Sequence, residues 1–229
     1  MGQKKLARFA EIETFPNVLI YPEEMPGKWK NHFGNNNPVT LELACGKGEY
    51  TLGLSRLLPK ENFVGVDIKG NRIWKGARTA LDAGLKNVAF LRIQIDHITR
   101  YFAPGEIKEI WITFPDPFLR KSKAKKRLTH SGFLHLYHQI LRPGGKIHLK
   151  TDSPELYAFT KEMIIENNCT LHTDLPDVYE GETNEVLEIK TFYEKSHLKE
   201  GRTIRYLQFS LPEVLPPSKA TMQHEPVTP

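Results

Sequence analysis

The chain predicts an α/β fold, a mostly parallel sheet with helices on both faces, and three observations carry the prediction. Short apolar runs recur at similar spacing, segments of helical character lie between them, and the first run passes through a glycine turn into a helix. That first strand, Val39 to Ala44, follows the turn-rich Asn35-Asn36-Asn37-Pro38. Asn62 to Val66 and Asn87 to Ile93 repeat it, each bounded by turn residues as buried parallel strands are. Tyr50 to Leu58 and Asn71 to Ala83 fill the intervals as helices. Ile107 to Thr113 is a fourth strand, Ser131 to Leu141 a helix, and Lys146 to Lys150 a fifth strand introduced by Arg142-Pro143-Gly144-Gly145. Ser153-Pro154-Glu155 then starts another helix, with serine as cap and proline in the first turn. From Cys169 onward the pattern loosens, and Thr203 to Leu211 is the last strand.

A chain of 229 residues, 39% of them hydrophobic, buries one substantial core and reads as one domain. We place that domain at 38–211, after a partly flexible lead-in over 1–37 and before a flexible, proline-rich tail over 212–229. The formal charge of +5 permits a polyanionic partner without demanding one. Cys45 and Cys169 lie far apart without metal-ligand spacing, so neither a disulfide framework nor a cysteine metal site is expected. No apolar stretch approaches membrane-spanning length, and the N-terminus does not read as a signal peptide. The expected setting is cytoplasmic.

In an open parallel sheet, ligands sit beyond the carboxyl ends of the strands. The loops after Leu43, Val66, Ile93 and Thr113 are therefore expected to share one crevice. Leu41-Glu42-Leu43-Ala44-Cys45-Gly46-Lys47-Gly48-Glu49 is a strand, a glycine turn and a helix start, and Gly46 and Gly48 let backbone approach a ligand. Thr51 stands at the third glycine position of the dinucleotide fingerprint, which is therefore incomplete. Asp67 ends the second strand about twenty residues on, where a carboxylate accepts from ribose hydroxyls. Glu42 lies where a pyrophosphate would be repelled, and a cationic ligand such as the methionyl ammonium of S-adenosylmethionine suits it. Asp96 is placed to meet an adenine amino group. Singly, Glu42 reads better as a salt-bridged surface acid and Asp96 as a helix cap; four loops in agreement make the site the stronger reading.

Phe114-Pro115-Asp116-Pro117 closes the fourth strand and opens a basic stretch, Arg120-Lys121-Ser122-Lys123-Ala124-Lys125-Lys126-Arg127. Two prolines stiffen the backbone on both sides of Asp116, so a carboxylate is held next to cations suited to phosphate. His130, His135, His138 and His148 form no convincing ligand set and read as surface or core residues.

With Glu42, Gly46, Gly48, Asp67, Asp96 and Phe114-Pro115-Asp116-Pro117 in this order, the chain resembles the bacterial tRNA (guanine-N7)-methyltransferases. Lys150-Thr151-Asp152 and Thr191-Phe192-Tyr193-Glu194 add two further segments that are similar to this family's signatures. The resemblance implies a Rossmann-like class I methyltransferase fold, a seven-stranded sheet with a reversed final hairpin. It also implies methyl transfer from S-adenosylmethionine to N7 of a guanine in the tRNA variable loop. Matched by position, Glu42, Asp67 and Asp96 are cofactor contacts, and Asp116 is both a cofactor contact and the catalytic acid. Arg120, Asp152 and Thr191, Phe192, Tyr193 and Glu194 correspond to substrate contacts. Departures are Asp67 where many relatives carry glutamate, Phe118 for a usual tryptophan, and Arg120 where lysine is common.

Chemistry supplies roles. Guanine N7 has no proton to lose, so attack on a sulfonium methyl needs alignment and stabilisation of a purine that becomes cationic; Asp116 is the expected stabiliser. Arg120, Lys121, Lys123, Lys125, Lys126 and Arg127 are expected to grip phosphates of a partly exposed or flipped target. Asp152 and Glu194 are expected to accept from the guanine N1 and N2 edge. The competing readings are a methyltransferase for a small amine, an inactive RNA-binding relative, and a nicotinamide dehydrogenase, the last disfavoured by Glu42 and the missing glycine. No metal is expected, and the assembly is a monomer or homodimer.

Overall fold

The computed structural model describes residues 2–217, without the side chains of 2–5. Eight strands form one sheet in the order β1-β4-β3-β2-β5-β6-β8-β7. They are β1 (Val18–Ile20), β2 (Val39–Leu43), β3 (Asn62–Asp67), β4 (Val88–Arg92), β5 (Ile107–Thr113), β6 (Leu141–Thr151), β7 (Thr170–Leu175) and β8 (Arg205–Ser210). All neighbours pair in parallel except β8, which runs antiparallel to both β6 and β7. The helices are α1 (Gly2–Ile12), α2 (Trp29–Phe33), α3 (Glu49–Leu57), α4 (Gly70–Asp82), α5 (Ser131–Ile140), α6 (Pro154–Glu166) and α7 (Phe192–Lys199).

Every residue of β2 and β3 is buried, as central strands covered on both faces require. The largest apolar cluster runs from Leu41, Leu43 and Val66 through Ile110 and Ile112 to Leu134, Tyr137 and Leu207. Burial of this continuous apolar surface supplies the main driving force for the sheet. The chain winds from β2 to β3 and β4 on one side and resumes at β5 on the other, so strand order reverses between β2 and β5. A crevice at the carboxyl ends of β2 and β5 follows from that reversal.

Three expectations need correction. The sheet has eight strands rather than seven, because Val18-Leu19-Ile20 pairs with Phe90-Leu91-Arg92 of β4. The lead-in is part of the domain: Ile12 and Trp29 are fully buried, Trp29 Nε1 donates to Tyr101 O at 2.9 Å, and its ring stacks on Phe102. The beginning of the tail packs back on α5, where ring nitrogens of His138 and His135 lie 3.0 Å from the carbonyls of Glu213 and Pro216; residues 218–229 lie outside the described residues. The stretch after Cys169, where the sequence pattern loosens, contains a helix over 192–199. Among the described residues, no helix is long and apolar enough to cross a membrane, and no group of three or more His, Cys, Asp or Glu is arranged to hold a metal ion.

Candidate active site

The turn between β2 and α3 is built on positive φ angles. Ala44, Gly46 and Gly48 have φ of 55°, 58° and 65°, in the left-handed region that favours glycine. At Gly48 a Cβ would stand 2.4 Å from the Phe90 ring, so packing alone demands glycine there. At Gly46 a Cβ would meet nothing within 4 Å, which leaves open space over the backbone where a ligand fits. Asp67 fixes the turn: its Oδ2 accepts from Gly46 N at 2.9 Å and its Oδ1 from Lys69 N at 2.8 Å.

Glu42 lies below this turn and is 3% exposed. One carboxylate oxygen accepts from Thr51 N at 2.8 Å and from the Thr51 hydroxyl; the other accepts from Thr113 Oγ1 at 2.7 Å. Burial pushes its pKa up to about 7, against the pull of those three donors. All the donors are neutral, and among the described residues no cation is paired with this carboxylate. A buried acid with neutral partners beside an open glycine turn has the chemistry to accept a cation.

The cleft next to Glu42 is walled by Gly46, Lys47, Glu49 and Arg72 on one side and by Thr113, Phe114, Thr191, Phe192 and Tyr193 on the other. The N-terminus of α7 is tied across it. Thr191 caps α7, Phe192 N donates to Glu49 Oε2 at 2.7 Å, and Lys47 Nζ lies 4.5 Å from the Phe192 ring centroid. Lys47, Glu49, Arg72, Thr51, Thr113 and Phe114 were not among the expected site residues. Glu49 and Thr51 follow the glycine turn and Thr113-Phe114 directly precede Pro115, so proximity to the motifs was their available signal.

The remaining expected residues fall into two groups. Asp96 is exposed in a 3-10 turn after β4, and Asp116 is exposed after β5; both are at the carboxyl end of the sheet but outside the cleft wall. Asp116 Oδ1 accepts from Phe118 N at 3.0 Å, closing a turn flanked by Phe114 and Phe118 at φ of 48° and 41°. Two such residues around one carboxylate mark a strained loop held in place by its surroundings. Arg120, Lys121, Lys123, Lys125 and Lys126 are exposed, the last four on a 3-10 helix over Lys121–Lys126.

Arg127 departs from the expected phosphate contact. It is 8% exposed, its Nε donates to Pro117 O at 3.0 Å and its Nη2 to Phe118 O at 3.1 Å, and its guanidinium lies over the Phe159 ring. The side chain is a brace for the Asp116 loop. Glu194 departs likewise: it has no exposed surface and pairs with Lys150, Nζ to Oε1 at 2.6 Å, while Tyr179 OH donates to the same oxygen at 2.5 Å. A base edge has no access to it in this conformation. Asp152 is less enclosed, with Arg202 Nη1 at 2.8 Å from Oδ2 and His197 Nε2 at 3.6 Å from Oδ1.

Comparison with known proteins agrees with this architecture. Residues 36–207 match the protein family described as "Putative methyltransferase". A tRNA (guanine-N(7)-)-methyltransferase of Bacteroides thetaiotaomicron is 47% identical over 223 residues, covering 93% of this chain and 88% of that protein. Its counterpart from Christiangramia forsetii is 46% identical, covering 92% of this chain and all of that protein. Among solved structures, the 16S rRNA methyltransferase KamB superposes with a TM-score of 0.62 at 16% identity over 83% of this chain and 96% of its own, a likeness of fold. With the sheet order, the glycine turn and the Asp116 loop as found, the chain belongs to the tRNA (guanine-N(7)-)-methyltransferase family.

Proposed function

We propose that this chain transfers the methyl group of S-adenosylmethionine to N7 of a guanine in the tRNA variable loop, in the cytoplasm. The observation that carries the reading is Glu42: a buried carboxylate with only neutral donors, below a glycine turn with open space at Gly46. The residues present fit the cofactor. Glu42 would hold the α-ammonium, Asp67 the ribose hydroxyls by the lone pairs left over from Gly46 and Lys69, and Asp96 the adenine amino group. S-adenosylmethionine, when bound, supplies an electrophilic methyl on a sulfonium.

Asp116 is the group that answers the charge appearing on the purine. Its carboxylate accepts from the Phe118 N–H and Arg127 holds the loop that carries it through the carbonyls of Pro117 and Phe118, so it meets the developing cation with little reorganisation. Arg120 and the lysines of the 3-10 helix lie next to that loop and contribute phosphate contacts, which set register more than they read sequence. Asp152, Thr191, Phe192 and Tyr193 frame the substrate side, with the exposed rings of Phe192 and Tyr193 available to stack on an unstacked base.

The test is transfer of labelled methyl to unmodified tRNA transcripts, with the product mapped by the chain cleavage that N7-methylguanine permits. Methyl at a single variable-loop guanine is the expected result. Cofactor binding without any incorporation into tRNA would transfer the assignment to a small-molecule acceptor.

A further inference from the structure

The last residues of β6 and the segment that roofs the cleft are joined by a buried ion pair that no role yet explains. Lys150 and Glu194 both have fully buried side chains. Lys150 Nζ lies 2.6 Å from Glu194 Oε1, donates to Leu187 O at 2.6 Å and reaches Ile189 O at 3.3 Å, so each of its three N–H groups has an acceptor. Glu194 Oε1 also accepts from Tyr179 OH, while Oε2 has no partner among the described residues. The carbonyls belong to the strap that enters α7, and the carboxylate belongs to the first turn of α7. Between them lie Thr191, Phe192 and Tyr193, all three in the cleft wall.

One ammonium therefore fixes the chain before and after the wall. The spacing Thr191 to Glu194 is that of a capping box, and Glu194 N does donate to Thr191 Oγ1 at 3.1 Å. The reciprocal half is missing: the Glu194 carboxylate turns inward to Lys150. A glutamate retained for helix capping alone would have no need of a buried cation, and one that touched a base would need an open path.

We propose that Lys150 is a positioning residue for methyl transfer. Acting through Glu194 and the carbonyls of Leu187 and Ile189, it holds Thr191, Phe192 and Tyr193 as the wall on which the target base is seated. Glu194 serves from beneath that wall and does not contact the base. The proposal rests on the tRNA reading above.

Three variants test it: Lys150→Met, Glu194→Gln and Tyr179→Phe. Each is assayed for steady-state transfer to tRNA below its own melting temperature, with S-adenosylmethionine affinity measured by calorimetry. Lys150→Met is expected to raise KM for tRNA by about tenfold or more while kcat and cofactor affinity stay within about threefold. Glu194→Gln keeps a carbonyl for Lys150 and Tyr179 and is expected to leave KM within about threefold of wild type. Tyr179→Phe removes one donor without stranding a buried charge, and a rise of about fivefold in KM is expected.

An unchanged KM in Lys150→Met, with only melting temperature and kcat reduced, would overturn the proposal and leave Lys150 structural. A KM in Glu194→Gln as high as in Lys150→Met would overturn it in favour of a direct base contact. Should Lys150→Met fail to fold, Tyr179→Phe decides, and an unmoved KM there is fatal. Failure of the wild-type protein to methylate tRNA would remove the functional reading and this proposal with it, whereas unmoved variants of an active enzyme remove only the proposal.

Discussion

Asp116 combines exposure with rigidity, and the two together make its charge testable in isolation. Asparagine retains the oxygen that accepts from Phe118 N, so Asp116→Asn preserves the turn and removes only the charge. Turnover on tRNA is expected to fall on the order of 10²- to 10³-fold. Cofactor affinity, measured by calorimetry, stays near wild type; wild-type turnover in this variant would refute the assignment. Arg127 belongs to the same loop by way of two carbonyls and one ring, a geometry that a lysine ammonium does not reproduce. Arg127→Lys is expected to lower turnover and cost about 1–2 kcal/mol in urea unfolding, with the salt dependence of tRNA binding unchanged. A phosphate contact would instead reduce that slope by about one. The sequence presents Arg127 as the last cation of a run, and nothing in a run of like charges tells which member turns inward over Phe159. Glu42 stands out in the sequence only in company: alone it reads as a salt-bridged acid, and its agreement with the glycine turn, Asp67 and Asp96 singles it out.

At the scale of elements, the 3-10 helix over Lys121–Lys126 carries its lysines outward without a buried face. Alanine at Lys123, Lys125 and Lys126 together is expected to lower the log–log salt slope of tRNA binding by about two to three. Melting temperature stays unchanged, since none of the three is buried; an unchanged slope would make the helix a solvated face. The lead-in shows where pattern reading fails. β1 is three residues long, too short for a recurring run, and α2 is five residues whose one fully buried anchor is Trp29. Trp29→Ala is therefore expected to cost about 3–5 kcal/mol, read from urea denaturation, although it sits in a segment whose composition reads as polar. The start of α7 carries its own signal, because Thr191 followed three residues later by Glu194 is a helix-start spacing, although the same residues lie in a segment that is similar to a substrate motif. By contrast β2 to β6 and α3 to α5 were readable because each is long enough to show its period and ends in turn residues.

The whole molecule places a carboxylate at its strand-order reversal and covers it with sheet, turn and α7, so stability and the proposed cofactor contact share one proton. With its folded pKa at about 7 and an ordinary value near 4.5 when unfolded, Glu42 takes up a proton more readily in the native state. Its contribution to stability is fully present below pH 4.5 and is lost as pH rises from there through 7, because the unfolded chain ionises first. The loss amounts to an order of 3 kcal/mol in the ligand-free protein. Glu42→Gln, which keeps acceptors for Thr51 and a partner for Thr113, is expected to flatten that decline. A cationic ligand reverses the balance, since the ionised carboxylate is then the form with a partner. Between pH 5.5 and 7 the α-amino group of S-adenosylmethionine remains protonated, so the titration that matters is that of Glu42. Wild-type affinity is expected to rise about tenfold across this window, and binding at pH 6 is expected to release about one proton, read from calorimetry in buffers of different ionisation enthalpy. Glu42→Gln is expected to bind more weakly and without this pH dependence. A wild-type affinity that stays constant from pH 5.5 to 7, with no proton released, would mean that the ammonium is held elsewhere and that Glu42 is a polar strut of the turn.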